Sequence, residues 1–377
     1  MNLNNYGLHR NNFPATELHD FFATAHACMS NKALDCREWG VETTDGLFVR
    51  WKPCGSPKEL SKLVTKHKTG KLNVGAVYDR SVSERRRMAP MKPVAREFVI
   101  DVDLDDYGNV DKHDLEGCDR YWPVVAIGLT AVRRILEWTF GFRHFLLVYS
   151  GRRGGHLWVL DRRAREMDNE HRGALVSFLQ KAMKGGSKDG ERSTPSYDWV
   201  RSNPNLVPMV GILVRFFERC GVKALDEGGV GMLDEAYQRE ELLLSIDKKL
   251  HDRLISAVRP KTGQQALKLL KKYIMRESPE WVQLRYEDAV LELVFPRLDV
   301  NVSKDMGHML KTPFSVHPAT GRVSVPLPHG CDATAHSPRI RAPTAPKVPI
   351  FSAARHRRDV FVFAGFYSAL CGFGTIK

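Results

Sequence analysis

Asp101 and Asp103 stand two residues apart inside the alternating run Phe-Val-Ile-Asp-Val-Asp-Leu at 98–104. Side chains along a strand have a period of two, so both carboxylates project from the same face. Two anions held side by side on a rigid element repel each other unless a cation sits between them. Taken alone, the pair reads equally well as an exposed strand face leading into the acidic stretch at 104–107. A third carboxylate, Asp299, closes another apolar run, Leu-Val-Phe-Pro-Arg-Leu-Asp at 293–299, and is expected to return the chain to the sheet. Between them in sequence lies a glycine–arginine turn, Ser-Gly-Arg-Arg-Gly-Gly-His at 150–156. Three acids and a cationic phosphate cradle describe a two-metal nucleotidyl-transfer site.

In that cradle Ser150, Arg152, Arg153 and His156 would hold a triphosphate. Glycines 151, 154 and 155 allow backbone amides to approach phosphate, and the arginines supply charge-assisted donors. Without the acids and strands around it, such a turn reads as a basic surface hairpin. Arg297 lies two residues before Asp299 and is therefore expected on the same strand face. Oxygen ligands suit a hard cation, magnesium or manganese, at Asp101, Asp103 and Asp299.

The elements that must position these residues follow from periodicity. Residues 14–33 read as an opening helix, 47–51 and 72–78 as strands around a helix at 59–67, and 81–95 as a loop carrying Arg85, Arg86 and Arg87. Residues 124–140 have helical spacing and stop at Gly141. The runs 145–150 and 157–160 read as a β-hairpin across the glycine–arginine turn. Helices are expected at 169–184, 232–258, 263–277 and 281–293, with a Gly-, Ser- and Pro-rich loop at 185–205. The fold class is α/β (α+β): a mixed-sheet catalytic body at 1–160 and 294–335, interrupted by a helical insertion at 161–293.

Three segments carry a resemblance: Arg-Glu-Phe-Val-Ile-Asp-Val-Asp-Leu-Asp-Asp-Tyr at 96–107, Val-Tyr-Ser-Gly-Arg-Arg-Gly-Gly-His-Leu-Trp-Val at 148–159, and Phe-Pro-Arg-Leu-Asp-Val-Asn-Val-Ser-Lys at 295–304. Together they resemble the motifs of archaeo-eukaryotic primases, most closely the eukaryotic small, catalytic subunit. The likeness runs from about residue 35 to residue 326. It implies that Glu38, Arg50 and Lys71 line the nucleotide pocket and that His308, Lys311 and His317 contact phosphates. Asn73 stands where the family usually has an acid; an amide still hydrogen-bonds ribose but binds metal poorly. Family members also carry a structural zinc site soon after the acidic strand. Here that segment offers only Cys118 and His113, short of four ligands, so either distant residues complete the site or zinc is absent, and absence is expected.

The resemblance implies RNA primer synthesis on single-stranded DNA from ribonucleoside triphosphates, in the nucleus, with a primase large subunit and DNA polymerase alpha as partners. A repair-type primase-polymerase using deoxynucleotides and a non-catalytic nucleic-acid-binding scaffold are the alternatives. All three acids and both hairpin arginines are present, which a dead site does not need.

Composition agrees with that reading. The 377 residues are 43% hydrophobic, enough for a sizeable core, and a net charge of +13 favours a polyanionic partner. Seven cysteines form no CxxC pair, as expected of reduced thiols inside a cell. The N-terminus has no signal-peptide core. The C-terminal segment 336–377 is atypical: a basic cluster at 355–358 precedes a mostly apolar run at 360–376. It is short for a membrane span and is expected to pack on the protein rather than anchor it.

Overall fold

A computed structural model describes residues 18, 34–43, 45–66, 69–85, 90–107, 115–183, 197–223, 230–277, 280–315 and 324–327. Of the expected opening helix only Leu18 falls among these; it is helical and buried. The loop arginines 86 and 87, His317 and the whole C-terminal segment lie outside them.

In the first part of the chain, β1 (Arg37–Thr43), β2 (Phe48–Lys52), α1 (Pro57–Lys66), β3 (Thr69–Tyr78) and β4 (Pro93–Ala95) build one sheet in the order β2-β1-β3-β4. The acidic run forms β5 (Phe98–Asp103) and turns through a short 3-10 segment, Leu104–Tyr107, into the long helix α2 (Leu115–Phe140). There Gly141, at φ +67, donates to the Glu137 carbonyl and stops the helix at the expected residue. The hairpin of β6 (Phe145–Tyr149) and β7 (Gly154–Val159) follows. Its turn needs Gly151, which sits at φ +90.

Helices then dominate: α3 (Arg162–Arg165), α4 (Asn169–Met183), α5 (Asp198–Arg201), α6 (Val207–Phe216), α7 (Ala236–Ile246), α8 (Lys248–Val258), α9 (Gly263–Glu277) and α10 (Glu280–Val294). The expected helix over 232–258 is in fact two. Asp247 is extended at φ −165 and its carboxylate accepts from the Leu250 amide at 2.9 Å, capping α8 and breaking the run. The apolar pattern alone does not single out α6. The chain returns through α11 (Val300–Lys304), β8 (Leu310–Lys311), which pairs with β3, and β9 (Val325–Leu327), which pairs with β6.

The second sheet, ordered β5-β7-β6-β9, lies between two apolar layers, and every described strand pairing is antiparallel. The period of two assigns its faces. Phe98, Ile100, Val102, Leu157 and Val159 join α2 and the later helices in one continuous core. Val99, Leu146, Val148 and Trp158 point the other way and pack with Trp39, Val41, Leu72 and Val74 of the first sheet. Asp101, Asp103 and His156 share that second face but lie beyond its apolar part. The body is therefore α+β, with the acids at the seam between two sheets.

Candidate active site

Register on the second sheet sets the first contacts. Asp101 pairs with His156 and Asp103 with Gly154 across β5 and β7. A Cβ on Gly154 would lie 2.9 Å from the Val102 carbonyl, so this position needs glycine. Asp299 reaches the pair through backbone: its amide donates to the Asp101 carbonyl at 3.1 Å, beside an isolated bridge between Val102 and Leu298. Asp299 is not, as expected from sequence, on a strand. It is the N-cap of α11 and accepts from the Asn301 amide at 3.0 Å. The same correction applies to Arg297: Pro296 and a single bridge leave no strand face there, and its guanidinium donates to the Asp106 carbonyl at 2.6 Å, over the Tyr107 ring.

Electrostatics shows how crowded the acids are. Burial, then the Asp103 and Asp299 charges, push the Asp101 carboxyl up to about 7. Asp106, a fourth acid that sequence spacing did not assign, is also raised by burial and by Asp103, Asp299 and Asp105. Its proximity comes from the 3-10 turn, which folds residues 104–107 back beside the strand. A divalent cation would relieve this repulsion, and the all-oxygen donors fit one. Among the described residues no three such side chains converge in ligating geometry. Asp103 is instead turned onto Arg153 (2.6 Å), and Asp299 onto its own helix amide.

Opposite the acids stand cations. Arg153 bridges Asp103 and Asp105. Lys311, buried on β8, donates its ammonium to the Ser150 carbonyl and so joins the first sheet to the hairpin of the second. Burial and the neighbouring Lys71 lower its pKa to about 7, against the pull of Asp101 and Asp103. Buried His156 lies 3.8 Å from Asp101 and is held near 3 by burial, Lys311 and Lys71, so its imidazole is neutral. Ser150 closes the turn: its hydroxyl accepts from the Gly154 amide at 3.1 Å. The Arg152 carbonyl accepts from the Tyr149 hydroxyl at 2.9 Å.

A second cluster stands on the first sheet. Glu38 is fully buried and takes two hydrogen bonds from Arg50, at 2.8 and 3.1 Å, with the Tyr78 hydroxyl at 3.3 Å. Arg50 also donates to the Gly307 carbonyl at 3.3 Å, which links this cluster to the turn before His308. His308 is half-buried, and burial and Arg96 lower its pKa. Lys71 pairs with Glu42 at 3.2 Å. Asn73 is buried opposite Lys311 in the register of β3 and β8, and its amide nitrogen has no partner among the described residues. His113 lies outside the described residues, and of Cys118 only a helical backbone is described.

The fold thus brings Asp101, Asp103, Asp299, Ser150, Arg153, His156, Arg297 and Lys311 into one site, with Glu38, Arg50 and His308 beside it. A sequence model of the DNA primase small subunit family matches residues 100–328, which contain all three acids and the hairpin. The chain belongs to this family. It is 30% identical over 302 residues to the DNA primase small subunit of Schizosaccharomyces pombe, covering 77% of this chain and 65% of that one. The Saccharomyces cerevisiae protein is 26% identical over 323 residues (82% and 77% covered), and the Drosophila melanogaster protein 29% over 312 (77% and 69%). The chain therefore spans about two thirds of the length of the first of these primase subunits. The polymerase domain of Mycobacterium tuberculosis ligase D, solved with DNA, overlaps at a TM-score of 0.26 and 12% identity, over 47% of this chain and 67% of that one. Among the described residues no helix is long and apolar enough to cross a membrane.

Proposed function

We propose that this chain is the catalytic small subunit of a primase, a DNA-directed RNA polymerase that makes short RNA primers on single-stranded DNA. The observation that carries the reading is the backbone tie from Asp299 to Asp101, which sets three carboxylates against the arginine hairpin. Asp101, Asp103 and Asp299 would hold two magnesium or manganese ions, which when bound would lower the pKa of the attacking 3′-hydroxyl and neutralise charge on the leaving oxygen. To hold a cation Asp103 would have to leave its contact with Arg153, which would then be available to the triphosphate. Arg152, neutral His156 and Lys311 complete the phosphate side, and Ser150 closes the turn that presents the arginines; the family resemblance adds His317. Glu38 holds Arg50 in place, and Lys71 extends the positive wall along the first sheet, with His308 as a neutral hydrogen-bonding group beside it.

Family membership supports a nuclear replication role with a primase large subunit and DNA polymerase alpha as partners, and ribonucleoside triphosphates as substrates. Primer synthesis by the purified chain on single-stranded DNA, with ribo- and deoxynucleotides assayed separately and a divalent cation present or chelated, tests this. Cation-dependent ribonucleotide incorporation is expected. Incorporation of deoxynucleotides alone would make it a repair-type primase-polymerase, and none of either would leave a scaffold.

A further inference from the structure

Arg96 lies just before β5, contacts none of the three acids, and is almost wholly buried. Its Nη1 donates to two carbonyls, Val302 and Asp305, each at 2.9 Å. These carbonyls belong to the end of α11 and the residue after it, where helical carbonyls lack partners of their own. At the other end of α11 stands Asp299. The same short helix meets β5 twice more, through the Ser303 hydroxyl on the Val99 carbonyl at 2.7 Å and the Asp299 amide on the Asp101 carbonyl.

Arg96 is itself anchored. Its amide donates to the Arg165 carbonyl at 2.9 Å, and its own carbonyl takes Nη2 of Arg172 at 2.5 Å. Arg172, also buried, grips the Ala164, Arg165 and Met167 carbonyls as well. A rigid line of hydrogen bonds thus runs from α4 through Arg172 and Arg96 to α11.

We propose that Arg96 is a positioning residue for the third acid: by clamping the Val302 and Asp305 carbonyls it fixes α11 on β5, and with it the placement of Asp299 beside Asp101 and Asp103. This rests on the reading of those acids as cation ligands. An apolar side chain of similar length would fill the same space yet leave two buried carbonyls without donors, and α11 free to shift. Partners that orient ligands in this way alter metal affinity by about 10- to 100-fold when removed.

The test is a nucleotide-free Mn²⁺ titration of the full chain, read from the EPR signal of unbound Mn²⁺, with circular dichroism to confirm folding. Wild type, Asp299→Ala, Arg96→Met and Ser303→Ala are compared. Arg96→Met is expected to weaken Mn²⁺ binding about tenfold, and to raise the Mn²⁺ needed for incorporation by the same factor. The nucleotide KM at saturating Mn²⁺ should not move, which a general loss of structure would not spare. Ser303→Ala keeps Arg96 and loses one tie, so about a threefold weakening is expected. Lost affinity in Asp299→Ala beside wild-type affinity in a folded Arg96→Met overturns the clamp alone. If Arg96→Met does not fold, wild-type affinity in a folded Arg96→Gln, whose shorter side chain also loses the clamp, overturns it instead. A wild type that binds no Mn²⁺ removes the ligand reading, and the clamp falls with it.

Discussion

The face of β5, β7 and β6 that looks toward the first sheet changes character along its length. At one end Val99, Trp158 and Leu146 are buried against Trp39, Leu72 and Val74, and the two sheets close on a dry apolar seam. At the other, on two of the same strands and in the same register, stand Asp101, Asp103 and His156, and the seam is filled by charge. The apolar end holds the sheets at a fixed spacing. The charged end is where that spacing is used, because the buried Lys311 of the first sheet reaches the Ser150 carbonyl of the second. Burial raises the Asp101 pKa and lowers that of Lys311, so this end stores electrostatic strain that a bound cation and triphosphate would relieve.

The largest effects should separate the two ends. Asp101→Ala or Asp299→Ala should cut nucleotide incorporation about a thousandfold, since cation binding supplies several kcal/mol of transition-state stabilisation. Thermal stability should hold or rise in Asp101→Ala, because like charges are removed from a crowded site, and fall by about 1 kcal/mol in Asp299→Ala, which loses the cap of α11. Trp158→Ala, at the dry end, should cost about 3–5 kcal/mol in urea unfolding, while the folded fraction keeps its activity. Substantial synthesis by Asp101→Ala in magnesium, or a folded but inactive Trp158→Ala, would break the division.

How much of this was legible beforehand follows the range of the interaction. The period of two placed Asp101 and Asp103 on one face, and the hairpin and Gly141 stop needed only local signals. Asp299 is legible as a partner of the pair, but its setting is not. A strand was expected where Pro296 and a capping aspartate give a bridge and a short helix. The break at Asp247 was missed because apolar spacing continues through it, while the capping hydrogen bond does not show in the pattern. Asp106 and Arg96 were invisible for another reason. Their roles come from a turn that folds back and from carbonyls about 200 residues away, which no local spacing encodes.

Arg153 sharpens the comparison from the charged end. It is already committed to Asp103 and Asp105, so its removal takes a charge-assisted donor from the triphosphate and also frees two carboxylates. Arg153→Ala should raise the nucleotide concentration needed by about one to two powers of ten, from about 1.5–3 kcal/mol. If nucleotide affinity stayed constant and only template binding fell, the hairpin would contact nucleic acid instead.

Stability against pH tests the stored strain directly. The folded pKa of Asp101, about 7, lies above its ordinary 3.8. Between those values the folded chain keeps a proton that the unfolded chain has released, so stability falls as pH rises through that window. Lys311 has the opposite displacement, from 10.5 down to about 7. Above 7 the unfolded chain holds the extra proton, and stability recovers with rising pH. Melts in a chelating buffer should therefore show a minimum near neutral pH, and Asp101→Asn should flatten its acid side while the alkaline limb, set by Lys311, persists and begins at lower pH. An acid limb that survives Asp101→Asn belongs to another group.

The smallest effect is expected at Ser150, where two roles compete for one hydroxyl. The sequence placed it on phosphate, yet here it accepts from the Gly154 amide and closes the turn that presents Arg152 and Arg153. Ser150→Ala leaves that buried amide without its side-chain acceptor, at a cost of about 1 kcal/mol in stability. Nucleotide KM should rise only a few-fold, because the turn loosens while its cations remain. Ser150→Thr, which keeps the hydroxyl, should restore both. The informative reading is the ratio between the two losses. A KM rise beyond about tenfold with unchanged urea unfolding would mean that the hydroxyl leaves Gly154 and binds phosphate. Matched, modest losses would place Ser150 with the scaffold of the charged end rather than with its chemistry.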